Sequence, residues 1–284
     1  VPRTAASLTA AACLIGMSLA ASPAEAATFE NYVALGDSFT AGPLIPPTAP
    51  WSDLRCMRSA SNYAQLTADR LGVAEFTDAS CSGAVADDFW ESQHYGVPPQ
   101  FDALTPETDL VTVGIGGNDF GFVDVLTECA ERSFDNPFGS PCKNSYGDEL
   151  DQRIEDLRGE ISDVYAEVFE RSPDATVLSV GYLQILPEGR GCWPVMPIAR
   201  GDVAYLDQVQ SDLNAMLEEE ATAAGAVFVD VLERGHDVCQ KSSDRWVEGL
   251  VPENSAAPVH PNKAGMAAVA DRVGETLGVA SGAA

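Results

Sequence analysis

Tyr32-Val33-Ala34-Leu35-Gly36-Asp37-Ser38-Phe39-Thr40-Ala41-Gly42 passes from an apolar run through a glycine to a serine that opens a new segment. Asn31 to Gly36 reads as a short buried strand, and Asp109 to Gly116 reads as a second, also ending in glycines. Val73 to Ala79, Ala175 to Gly181 and Ala226 to Val231 are further strand candidates. Helical patterns lie between them. The clearest is Asp202 to Ala224, where Leu206, Val209, Leu213, Met216 and Leu217 return to one face and Gly225 stops the run. Near-continuous apolar strands alternating with amphipathic helices predict a mostly parallel sheet of about five strands, covered on both faces: a three-layer α/β/α sandwich. Ligands of such sheets collect beyond the carboxyl ends of the strands. Ser38, the Ser80 to Gly83 turn and the Gly116 to Asn118 turn all fall there.

The 284 residues are 45% hydrophobic, enough for one large core, and no long linker or repeat divides them. Sixteen Lys plus Arg against 43 Asp plus Glu give a formal charge of −27, which opposes binding to nucleic acid or to an anionic membrane. Arg3, an apolar run from Ala10 to Ala21 and Ala24-Glu25-Ala26 have the order of a secretory signal. The expected division is a signal peptide over 1–26 and a single domain over 27–284, secreted and without a stable membrane anchor. Cleavage there removes Cys13 from seven cysteines. Cys56, Cys81, Cys129, Cys142, Cys192 and Cys239 remain, an even number that suits three disulfides in an exported chain. Several connectivities are open. Pairing in sequence order would join Cys56 with Cys81, Cys129 with Cys142 and Cys192 with Cys239. With no C-x-x-C pair and no regular histidine spacing, no metal site is expected.

Pro43 to Trp51, Gly121 to Gly147, Leu183 to Arg200 and Glu233 to Pro258 read as irregular loops or insertions, suited either to a substrate rim or to surface elaboration. The chain lacks a G-x-S-x-G elbow, an H-E-x-x-H helix and a P-loop. Gly36-Asp37-Ser38 alone is an ordinary turn or cap. Gly116-Gly117-Asn118-Asp119 follows a strand and offers a side-chain amide, and Ser80-Cys81-Ser82-Gly83-Ala84 offers a glycine N–H. Val259-His260-Pro261-Asn262 supplies a histidine just before a helix-like run from Asn262 to Leu277. His94 and His236 stand in no such company.

These four blocks, in this order on an alternating α/β pattern, resemble the SGNH hydrolases, also called GDSL-type esterases and lipases. The similarity covers essentially the whole mature chain and is to secreted actinobacterial members with three disulfides in particular. It implies the flavodoxin-like fold, Ser38 as nucleophile, His260 as general base, and an oxyanion hole built from the N–H of Ser38, the N–H of Gly83 and the Asn118 amide. It also implies the sequential disulfide pairing. Many members carry an aspartate three residues before the histidine, where Ala257 stands here. A Ser38–His260 dyad is therefore expected, with the Ala257 carbonyl holding the imidazole and Glu253 as the alternative. The implied activity is cofactor-free hydrolysis of a carboxylic ester by a monomer, with a small-molecule or fatty-acyl lipid ester as substrate. Phe39, Leu44, Ile45, Trp51, Phe120 and Phe122 are candidates for an acyl groove. The rival readings are a carbohydrate acetyl esterase, a phospholipase and a non-catalytic secreted binding protein.

Overall fold

Five parallel strands form one sheet in the order β2-β1-β3-β4-β5 in the computed structural model, which describes residues 28–279 together with Val1 and Pro2. They are β1 (Asn31–Gly36), β2 (Glu75–Asp78), β3 (Leu110–Gly114), β4 (Thr176–Val180) and β5 (Val227–Val229). Each is shorter than its apolar run predicted by one or two residues at either end, except β1, which keeps its expected bounds. The expected signal segment and Cys13 lie outside the described residues, apart from Val1 and Pro2. Every residue of β3 is buried and β1 is buried from Tyr32 onward, as the centre of a sheet covered on both faces requires. Tyr32 pairs with Leu110 and Gly36 with Gly114, so β1 and β3 end level with each other.

The helices are α1 (Ser38–Ala41), α2 (Tyr63–Leu71), α3 (Gly117–Phe120), α4 (Phe122–Asp135), α5 (Pro141–Tyr146), α6 (Glu149–Arg171), α7 (Arg200–Ala224) and α8 (Lys263–Thr276). One layer packs α2 against α8 and the other packs α6 against α7. In α6, Leu150, Ile154, Leu157, Ile161, Val164 and Val168 recur every three or four residues and are buried, which is the stripe a helix needs to cover a sheet. Tyr165 of that stripe reaches the sheet through a 2.6 Å hydrogen bond from its hydroxyl to Ser179 Oγ of β4. Gly225 ends α7 in the left-handed conformation, as its position predicted.

Gly121 to Gly147 is not irregular. It folds as α4 and α5, joined by the Cys129–Cys142 disulfide. Asp202 of α7 accepts the N–H groups of Cys142 and Lys143, capping α5 and mooring the pair to the body of the protein. Cys56–Cys81 and Cys192–Cys239 complete the sequential pairing. Among the described residues no helix is long and apolar enough to cross a membrane.

Candidate active site

The carboxyl ends of β1 and β3 deliver Ser38 and Asn118 to the same edge. Gly36 makes the first turn possible: a Cβ there would come within 2.2 Å of Thr40 Oγ1 and 2.7 Å of the Gly114 carbonyl. Asp37 caps α1 by accepting the Phe39 N–H, and its carboxyl is buried. From the far end of the chain, the loop before α8 brings in His260. Its Nε2 lies 2.8 Å from Ser38 Oγ across 222 residues of sequence.

The imidazole is held differently from the expectation. Nδ1 lies 2.8 Å from the carbonyl of Pro258, not of Ala257. The Ala257 carbonyl instead accepts the backbone N–H of His260 at 3.2 Å and so closes a four-residue turn. Closing that turn occupies the outer carbonyl and leaves the central one, Pro258, free for the ring. Proline second and a positive φ third (59° at Val259) are the pattern of a type II turn, although a β-branched residue is an unusual occupant of that third place. Glu253 is not the alternative either, for its carboxylate turns to Arg245, 3.4 Å away. Burial holds the His260 pKa below its ordinary value, against the Pro258 carbonyl, which favours the charged ring.

Glu248, which no motif or spacing singles out, anchors this loop. It is fully buried and accepts hydrogen bonds from Asn262 Nδ2 (2.7 Å), Asn254 Nδ2 (2.8 Å), the Glu253 N–H (2.9 Å) and Arg245 (3.1 Å). Burial opposes its ionisation, but these donors outweigh the burial and hold its pKa below the usual value. Its own N–H donates to the His260 carbonyl, and Asn262 caps α8 immediately after the histidine. The loop carrying His260 is thereby fixed from both sides.

The expected oxyanion donors are linked to one another. Asn118 Nδ2 donates one hydrogen to the Ala84 carbonyl at 2.8 Å, which orients the amide and leaves its second hydrogen. Asp119 Oδ1 accepts the Ala86 N–H at 2.8 Å, a second tie between α3 and the loop that carries Gly83. Gly83, with φ of 83°, occupies the third place of the turn from Cys81 to Ala84, while the Cys81 N–H donates to the Gly36 carbonyl beside the Ser38 turn. Gly83 does not itself line the cavity described next. Neither the Ser38 nor the Gly83 N–H meets an acceptor among the described residues.

Tyr182 ties the remaining pair of turns. Its buried hydroxyl donates to Asp37 Oδ2 at 2.6 Å and accepts the Gly117 N–H at 2.7 Å. A Cβ on Gly117 would meet that ring at 3.0 Å, so glycine is what lets the Asn118 turn approach it. Burial raises the Asp37 pKa to about 7 despite the Tyr182 and Phe39 donors.

A cavity of about 440 Å³ opens beside Ser38, Asn118 and His260. Its walls are largely apolar. Leu126, Ala130 and Phe134, four residues apart on α4, supply one side, and Ile185, Met196 and Leu213 line it as well. Of the sequence candidates, Phe39 and Phe122 are in the wall. Phe120 and Ile45 are in the core instead, whereas Leu44 and Trp51 are exposed outside the cavity. The spacing of Phe122, Leu126, Ala130 and Phe134 was the available signal for this wall, obscured by its place within an apparent insertion.

Residues 34–268 match the family model described as the GDSL-like lipase/acylhydrolase family. The chain is 39% identical to Lipase 2 of Streptomyces coelicolor over 91% of this chain and 90% of that protein. Among solved structures it resembles phospholipase A1 from Streptomyces albidoflavus, with a TM-score of 0.73 and 27% identity over 87% of this chain and 99% of the other. An extracellular lipase from Streptomyces rimosus gives a TM-score of 0.70 and 28% identity over 84% of this chain and 94% of the other. A family match across most of the chain agrees with a serine and a histidine in hydrogen-bond contact beside an apolar cavity: the chain belongs to the GDSL-like lipase/acylhydrolase family and is a carboxylic ester hydrolase of the lipase/esterase kind.

Proposed function

We propose that this enzyme hydrolyses fatty-acyl lipid esters through an acyl-enzyme on Ser38, with His260 as general base. The observation that carries the reading is the 2.8 Å contact between Ser38 Oγ and His260 Nε2 at one end of an apolar cavity of about 440 Å³. A depressed pKa keeps the imidazole neutral near neutral pH, ready to take the serine proton. As Oγ attacks the acyl carbonyl, negative charge grows on its oxygen. The Ser38 and Gly83 N–H groups and the free hydrogen of the Asn118 amide are proposed to receive it. The imidazolium is stabilised by the Pro258 carbonyl and then protonates the departing alcohol. Water, deprotonated by the same ring, releases the acid. An orienting carbonyl supplies a dipole where a triad has a full charge, so the base is held mainly by geometry. No metal or organic cofactor enters these steps.

The apolar wall favours an acyl chain over an acetyl group as occupant. The signal-like N-terminus and the likeness to the extracellular Streptomyces rimosus lipase support action outside the cell. A fluorophosphonate probe is expected to label the unvaried protein and to leave folded Ser38→Ala unlabelled. Absence of label from the folded, unvaried protein would falsify the nucleophile assignment. A screen from acetyl to long-chain esters, with acetylated glycans and phospholipids included, separates the rival substrates.

A further inference from the structure

Five exposed large apolar side chains line the cavity or adjoin its lining residues in sequence, and a sixth, Phe138, follows four residues after the lining Phe134, with the Arg200 guanidinium 5.0 Å from its ring. Val123, Phe134 and Leu250 belong both to its wall and to the surface. Phe138, Val195 and Val251 stand outside the wall at 72%, 65% and 82% exposure. The patch is continuous with the wall: Val195 and Val251 directly adjoin the lining residues Met196 and Leu250, and Phe134 meets Trp193 edge-on at 5.4 Å. Isolated apolar residues on a surface need no explanation, but a collar around a binding cavity marks an interaction surface. Its electrostatic setting narrows the partner. Helix α4, which supplies much of the rim, carries Asp124, Glu128, Glu131 and Asp135 against Arg132 alone, within a chain of formal charge −27. Such a rim is repelled by a negatively charged leaflet.

We propose that this collar docks onto a lipid bilayer of no net surface charge, so that an acyl ester enters the cavity from the bilayer without crossing water. The inference rests on the ester-hydrolase reading of the cavity and adds to it the physical state in which substrate is met. Docking is to be measured by co-sedimentation of the Ser38→Ala protein with phosphatidylcholine vesicles. Comparison is with the same protein carrying Phe138→Ser, Val195→Ser and Val251→Ser, none of which lines the cavity.

The unvaried collar is expected to bind, the triple variant to bind about tenfold or more weakly, and phosphatidylglycerol in the vesicles to weaken binding. With Ser38 restored, both proteins are expected to hydrolyse a soluble short-chain ester, below its aggregation concentration, at equal rates. Absence of binding to phosphatidylcholine, equal binding by the triple variant, or tighter binding to phosphatidylglycerol overturns the proposal. A dimer in sedimentation analysis that the triple variant loses would assign the collar to a second copy of the chain and overturn it too. Failure of the unvaried enzyme to cleave the soluble ester would instead count against the reading of the cavity.

Discussion

Replacing Tyr182 with phenylalanine removes one oxygen and leaves the ring, including its edge contact with Phe39 at 5.1 Å between centroids. That oxygen serves Asp37 on the Ser38 turn and Gly117 on the Asn118 turn, so its loss uncouples the two. Each of these two buried groups, left unsatisfied, costs about 1–3 kcal/mol, and relaxation of the turns recovers part of the sum. The net expectation is about 2–4 kcal/mol of stability, or a fall in Tm of roughly 5–12 °C for a domain of this size. Catalysis is expected to fall less than on removal of an oxyanion donor outright, about 3–4 kcal/mol, because Ala84 and Ala86 still hold Asn118 and Asp119. A drop in kcat of about 10- to 100-fold, equivalent to about 1.4–2.7 kcal/mol, is the predicted result. Steady-state kinetics on a soluble ester, well below the melting temperature, separates the effects. KM is expected to stay within about twofold, and the acid limb of the kcat profile to stay in place, because His260 is held elsewhere. A variant that melts earlier but keeps its kcat, or one that changes KM alone, refutes a positioning role for Tyr182.

The buried Asp37 carboxyl, with its pKa raised to about 7, binds a proton in the folded state where the unfolded chain has already lost it. Its contribution to stability therefore falls as pH rises from about 4 to about 7 and is level beyond. Comparing melting curves of Ser38→Ala with and without Asp37→Asn should reveal a component of that sign, and identical pH dependences would contradict it. Glu248→Gln leaves Arg245, whose side chain is only 6% exposed, without its buried carboxylate. Chemical denaturation is predicted to show a loss of about 3–5 kcal/mol, and turnover to fall as the His260 loop loosens; a change below 1 kcal/mol, on the order of a surface pair, would show the anchor to be dispensable. Ala130→Phe narrows the cavity from α4, so the optimum in an acyl-length series is predicted to move to shorter chains, with kcat/KM on the longest ester lowered about tenfold or more. An unmoved optimum would place the acyl chain elsewhere.

The order of strands and helices was legible because apolar runs and helical spacings are local properties of the chain, and the pattern 31–36, 109–116 and 175–181 is enough to demand a covered parallel sheet. Ser38, Asn118 and His260 were legible through their neighbours in sequence and through the family those neighbours resemble. The disulfide order was open from residue count alone and was implied only by that resemblance. Three features depended on the folded chain. Pro258 rather than Ala257 faces the imidazole because a turn's closing bond consumes one carbonyl and frees the next. Helix α4 becomes a cavity wall because the Cys129–Cys142 bridge ties it to α5, and Asp202 in turn ties α5 to α7. Tyr182 and Glu248 act across 145 and 14 residues respectively. Hydrogen bonds of that kind are set by approach in space, which periodicity and composition do not encode; the sequence alone determined which chemistry was present, and the tertiary structure decided what holds it in place.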